Sequence, residues 1–389
     1  METGFFPASR PQRKQRGPNA GHRGFLTKNK QQYQEVETMK KLSYGLAAAV
    51  LACSMLVQPM SASAQEAYGK PDKVTKWVFQ PCFDSSDAGW ANGIVPWIKM
   101  VEEATEGTIK IELQPAGAIT SGSEAFGATS AGMIDVYAGW ATVYGGDMPE
   151  GMLAFGLAMG ANNWRDAWAA MWGDPKYRIG DLVQAAANDR NLQWVGWTDQ
   201  GPNAMFTNFP VNKMEDLAGK KMRAGGPHAL FHEAMGGAPV AMGAGDIYTA
   251  IKLGTIDGTY WDTGGIDDMA FHEVIKYAIQ PGWCPAQHQE IYVNLDKWKA
   301  LNQWQRDRIN EVFMSSYFET SRMHAEGVEE ALEILEKAGG EVIYMSEDEL
   351  KRMREKAITD IWPKVAEKSE RNAKGVELWK QFLMDIGEL

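Results

Sequence analysis

The sequence predicts an α/β protein of two domains with mostly parallel sheets and a helical C-terminal region. Three observations carry this expectation. Strand-like and helix-like patterns alternate from about residue 74 to residue 300, the order that builds α/β layers. The 389-residue chain, less an N-terminal leader, is long enough for two domains of ordinary size. From about Asn302 the pattern is almost wholly helical, broken by "GGEVIYMS".

The N-terminus is set apart first. Residues 1–38 are polar and basic without an apolar period and read as an untranslated or disordered extension. From Met39, Lys40 and Lys41 precede a short apolar run that ends at Ala62-Ser63-Ala64. This is a signal peptide over 39–64, with no stop-transfer pattern after it. Gln34-Glu35-Val36 can be encoded by a ribosome-binding sequence at a sensible distance from Met39, so translation is expected to begin there. The rival, lipoprotein cleavage before Cys53, would leave the apolar "SMLVQPM" as a poor tether. The reading is a soluble periplasmic protein.

Strands follow at "VTKWVFQ" (74–80), "TIKIELQ" (108–114) and "MIDVYAG" (133–139), with an amphipathic helix in "GWANGIVPWIKMVEEAT" and another in "GSEAFGATSAG". "LQWVGW" (192–197), "AMFTNFPV" (204–211) and "KKMRAG" (220–225) are further strands. "APVAM", "GDIYTAIKLG" and "TIDGTYWD" form a compact βαβ unit, and "IYVNLD" (291–296) is the last strand before the helical end. The organisation is therefore 65–198 as mainly domain 1, 199–300 as mainly domain 2 with crossover strands, and 301–389 as a helical region. Its apolar face, with Trp362, Val365, Val376, Trp379 and Leu383, packs across both domains or forms a homodimer interface.

Charge and motif content remove several function classes. The nine basic and three acidic residues of 1–64 leave with the leader, taking the net charge from −11 to −17. That argues against nucleic acid or an anionic membrane as partner. Cys82 and Cys284 form one disulfide or remain two buried thiols. "FHEAM" (231–235) and "FHEVI" (271–275) are half of HExxH, but Gly236 and Lys276 stand where the second histidine belongs, so both read as ordinary helix surface. There is no GxSxG elbow, no P-loop and no GxGxxG after a strand. The chain does not read as an enzyme.

The stretch "KKMRAGGPH", Lys220 to His228, does carry chemistry. Arg223 stands at a strand end. Gly226-Pro227 starts a helix with proline at its first position, and Gly236-Gly237 stops it. A guanidinium fork matches a carboxylate with two parallel hydrogen bonds, and a helix N-terminus adds free N–H groups.

"MEDLAGKKMR" and "GGAPVAMGAGDIYTAIKLGTIDG", together with the export signal, resemble the solute-binding proteins of TRAP (tripartite ATP-independent periplasmic) transporters over essentially the whole mature chain. "GDIYTAIKLGTID-TYW" is most similar to the subgroup that binds 2-oxo and 2-hydroxy monocarboxylates. The resemblance implies a periplasmic-binding-protein type fold with a cleft between domains, and as partners a small organic acid and the membrane subunits of a TRAP transporter. It implies Arg223 as the carboxylate clamp, Asn203 and Trp261 beside the ligand, and Trp140 and Tyr144 as aromatic walls, with Phe83 and Asp84 as weaker candidates. It also implies a bridging cation, sodium or calcium, held by the Trp261 carbonyl, Asp262 and Glu290. Tyr260 departs from the glutamate that the subgroup places before its tryptophan. Other carboxylates or sulfonates, aromatic ones included, are the alternative ligands, and a periplasmic enzyme acting on an organic acid is the remaining alternative.

Overall fold

The computed structural model describes residues 68–389 apart from 86, 88, 285 and 286; the extension 1–38 and the leader 39–64 lie outside the described residues. Eleven strands make two sheets among these residues. The first contains β1 (Thr75–Phe79), β2 (Ile109–Leu113), β3 (Val136–Gly139), β4 (Leu192–Asp199) and β10 (His288–Asn294), in the order β2-β1-β3-β10-β4. The second contains β5 (Asn203–Thr207), β6 (Lys221–Arg223), β7 (Ala238–Val240), β8 (Gly258–Asp262), β9 (Tyr277–Cys284) and β11 (Glu341–Tyr344), in the order β11-β9-β5-β8-β6-β7.

Each sheet is parallel except for one strand. In the first, β10 runs against β3 and β4; in the second, β5 runs against β8 and β9. These two strands are the crossovers. Residues 200–202 carry the chain from β4 to β5, and the chain later returns from β9 to β10. A strand that passes directly from one sheet into the other enters it opposite to strands delivered by helical connections. The segment 199–300 thus supplies β10 to the first sheet, and the C-terminal region supplies β11 to the second.

Alternation sets which side chains each face buries. On the first sheet Phe79, Ile291 and Val293 join Trp77 and Trp97 in one apolar cluster. Tyr137, Trp194, Trp197 and Tyr292 face a second, larger one. On the second sheet Ala204 and Phe206 pack with Ile247, Ile251 and Phe271. Burial of such large side chains supplies the main stabilisation, about 25 cal/mol for each Å² of apolar surface removed from water.

A 35-residue helix, Gln303–Lys337, is capped by Asn302, whose side chain accepts from Gln305 N. Its N-terminal half buries Ile309 and Val312 with the first sheet, and its C-terminal half buries Ala331, Leu332 and Leu335 with the second. Trp362, Val365, Val376, Trp379 and Leu383 are all buried within the chain. The apolar face that suggested a dimer is therefore filled by the chain's own core. Cys82 and Cys284 do not form a disulfide, so of the two readings the one with two thiols holds. No helix among the described residues is long and apolar enough to cross a membrane.

Candidate functional site

The site is built around the end of β6. Parallel pairing places Arg223 opposite Val240 of β7 and Thr259 of β8. The strand then stops because Gly226 takes φ 53° and ψ −127°, a conformation closed to side chains with a Cβ. Pro227 opens the helix Pro227–Ala234 immediately after. The half-buried guanidinium of Arg223 lies 5.0 Å above the ring of Trp261 on β8, a cation–π contact. Its Nε donates to Met242 O at 3.4 Å. No carboxylate among the described residues forms an ion pair with it, and burial alone pulls its pKa down. A charge held out of water with a donor fork unmatched by protein is a binding position for an anion.

Asn203 opens β5 opposite Asp262. Its Oδ1 accepts from Trp283 Nε1 at 2.8 Å, and its Nδ2 donates to Gln287 Oε1 at 2.9 Å. The crossing is tight: a Cβ on Gly282 would stand 1.6 Å from Asn203 O, so only glycine fits there. Gln287 is a polar neighbour that sequence reasoning missed. Its one signal is the unbroken polar run Gln287 to Glu290, which cannot be resolved into inward and outward residues without the register.

Asp262, partly buried, faces Asp87 from the first-sheet side and Asp268 from the turn after β8. Burial, then these two like charges, pushes its carboxyl up to about 7. A Cβ on Gly264 would lie 3.0 Å from Asp262 Oδ1 and 3.4 Å from Asp268 Oδ2, which shows how closely the turn folds back.

The aromatic wall is assembled in part. Phe83 and Trp140 stack with centroids 4.7 Å apart and planes at 33°. Trp140 precedes the short helix Ala141–Tyr144, and a Cβ on Gly226 would come within 3.7 Å of Thr142, so this wall meets the turn that follows Arg223. Asp84 is exposed.

Two expected site residues lie elsewhere. Tyr144 is wholly buried, stacked on Phe126 at 4.5 Å, and its hydroxyl donates to Glu290 Oε2 at 2.8 Å. Glu290 is also wholly buried, on a strand paired along both edges, and burial raises its carboxyl well above the usual range. Tyr144 engages one oxygen of Glu290 in the aromatic core of the first sheet, while Glu290 Oε1 is buried there without a hydrogen-bond partner. Of the set expected for a cation, Trp261 and Asp262 lie on β8 of the second sheet and Glu290 on β10 of the first. Among the described residues no group of three or more His, Cys, Asp or Glu side chains could hold a metal ion. His232 is likewise no surface residue: it is fully buried, its Nε2 donating to Lys220 O and its Nδ1 accepting from Tyr260 OH, both at 2.8 Å.

Comparison with known proteins places the chain in a family and a fold. Residues 84–369 match the family described as bacterial extracellular solute-binding protein, family 7 (DctP). The chain is 25% identical over 301 residues to a monocarboxylate 2-oxoacid-binding periplasmic protein of Nostoc sp., covering 74% of this chain and 79% of that one. An apo, open TRAP periplasmic solute-binding protein from Rhodobacter sphaeroides superposes with a TM-score of 0.69 at 25% identity, over 81% of this chain and 99% of that one. A TRAP solute-binding protein from Bordetella bronchiseptica, with copurified calcium and picolinate in its site, has the same fold. Its TM-score is 0.70 at 21% identity, over 81% of this chain and 93% of that one.

Proposed function

The chain belongs to the DctP family of TRAP solute-binding proteins, bacterial extracellular solute-binding protein family 7, and we propose that it captures a small 2-oxo or 2-hydroxy monocarboxylate by its carboxylate at Arg223. Proteins of this family bind small organic acids and work with membrane transporter components; the relatives are binding proteins rather than enzymes. The observation that carries the proposal is the Arg223 guanidinium, half-buried above Trp261 with no carboxylate among the described residues to neutralise it. The Nostoc relative's name supports the monocarboxylate class.

On this reading the leader 39–64 exports the protein, and 65–198 and 199–300 are the two domains that close over the ligand. The crossover at 200–202 serves as a hinge. Ligand touching both walls, Arg223 and Trp261 on one side and Phe83 and Trp140 on the other, binds the closed state better and shifts the population toward it. The closed form then delivers the acid to the membrane subunits.

Capture is taken to need no metal, because among the described residues no group of three or more His, Cys, Asp or Glu side chains could hold one, although Glu290 keeps one buried oxygen unpartnered. Calorimetric titration with lactate, pyruvate, longer homologues and picolinate tests the proposal. One-to-one binding without turnover, unchanged within about twofold after chelation, is expected. Silence across the panel overturns the ligand class, and loss of binding on chelation overturns metal-independent capture.

A further inference from the structure

One buried group beside Arg223 has no role in the reading above. His228 is the second residue of the helix Pro227–Ala234 and is 9% exposed. Its Nδ1 lies 3.3 Å from Gly225 O. A carbonyl only accepts, so Nδ1 carries the proton and Nε2 presents a lone pair. That Nε2 is buried and has no hydrogen-bond partner.

The donors nearest to it are already committed. The Trp283 ring packs on His228 at 4.8 Å, but its Nε1 donates to Asn203. Tyr260 lies 6.0 Å away, but its hydroxyl donates to His232 Nδ1. Burial, and after it the charge of Arg223, holds the His228 pKa at about 3, so the imidazole is neutral and its Nε2 only accepts. A buried acceptor without a donor costs free energy that a ligand can recover.

We propose that His228 Nε2 accepts a hydrogen bond from the hydroxyl of a 2-hydroxy acid whose carboxylate sits on Arg223, which makes His228 the residue that separates 2-hydroxy from 2-oxo acids. This rests on the carboxylate reading of Arg223. A 2-oxo group would set its own lone pairs against the imidazole lone pair and leave both unmet. A site built to hydrogen-bond a hydroxyl discriminates strongly against the analogue that lacks it. A 2-amino acid also offers a donor, but as an ammonium it brings a second positive charge beside the guanidinium, which like-charge repulsion opposes.

The test is titration of the full protein, its His228→Phe and His228→Gln variants and an Arg223→Met variant with lactate and with pyruvate, each variant checked by thermal melting. The wild type is expected to prefer lactate at least tenfold. His228→Phe is expected to lose that preference through weaker lactate binding, with pyruvate unchanged within twofold. His228→Gln, whose Oε1 accepts, is expected to retain part of it. Equal affinity of the wild type for the two acids, or an equal loss of both in His228→Phe, overturns the role of His228; this comparison within the wild type decides even if a variant does not fold. Equal affinities that still collapse in Arg223→Met overturn His228 alone, whereas no binding of either acid overturns the carboxylate reading with it.

Discussion

Replacing Arg223 by methionine separates a binding charge from a structural one. In the free protein the guanidinium gains a cation–π contact with Trp261 at 5.0 Å and one long hydrogen bond to Met242 O. The first is worth about 0.5–1 kcal/mol at a partly exposed site. Against this stands the cost of holding a charge out of water without a counter-ion, which methionine removes while keeping most of the apolar stem. The two nearly cancel, so the melting temperature of the ligand-free variant is expected to stay within the equivalent of about 1 kcal/mol of wild type. In the complex the balance differs. Removing one partner of a buried charged pair costs about 3–5 kcal/mol, and because Arg223 is half-buried about 2–4 kcal/mol is the fitting range. At 1.4 kcal/mol per tenfold, affinity is expected to fall about 30- to 700-fold. Thermal melts of the free protein and calorimetric titration with the tightest-binding acid measure both quantities. A large loss of stability with affinity intact would refute the reasoning and make Arg223 a structural residue.

Two further substitutions test the surroundings. Asp262 has a folded pKa of about 7 against an ordinary 3.8, so between these values the native state keeps a proton that the unfolded chain has lost. Its destabilising effect therefore grows as pH rises from about 4 to 7 and is constant above; Asp262→Asn should raise the melting temperature at pH 8 and leave it unchanged near pH 4. An equal shift at both pH values would contradict the assignment. Gly226→Ala forces a Cβ into φ 53° and ψ −127° although Thr142 leaves it room at 3.7 Å, so about 1–3 kcal/mol of backbone strain is expected. Chemical denaturation measures this, and a neutral substitution would show that the turn relaxes freely.

The parts of the fold legible in the sequence were those written in local pattern. Strand and helix alternation, the βαβ unit and the long C-terminal helix each carry their periodicity within a few turns, and Arg223 is marked by the glycines and proline that follow it. The reversal of β5 and β10 was not legible, because strand direction is decided by which sheet a crossover enters. The contact of Glu290 with Tyr144 was hidden for a related reason. A carboxylate in a strand reads as functional unless its partner is known, and Tyr144 lies 146 residues away. Asn203 and Gln287, 84 residues apart, form a pair that only the crossing of the chain creates. His228 was visible as part of "KKMRAGGPH", but its unmet Nε2 depends on Tyr260 and Trp283 being committed elsewhere.

The central claim is that a ligand carboxylate is held by Arg223. A crystal structure of the protein with the tightest-binding acid of the panel tests it most directly. Both carboxylate oxygens are expected within about 2.7–3.1 Å of the guanidinium nitrogens of Arg223, with Trp261 beneath and Trp140 opposite. A bound acid whose carboxylate lies on other groups, with Arg223 turned away, would contradict it.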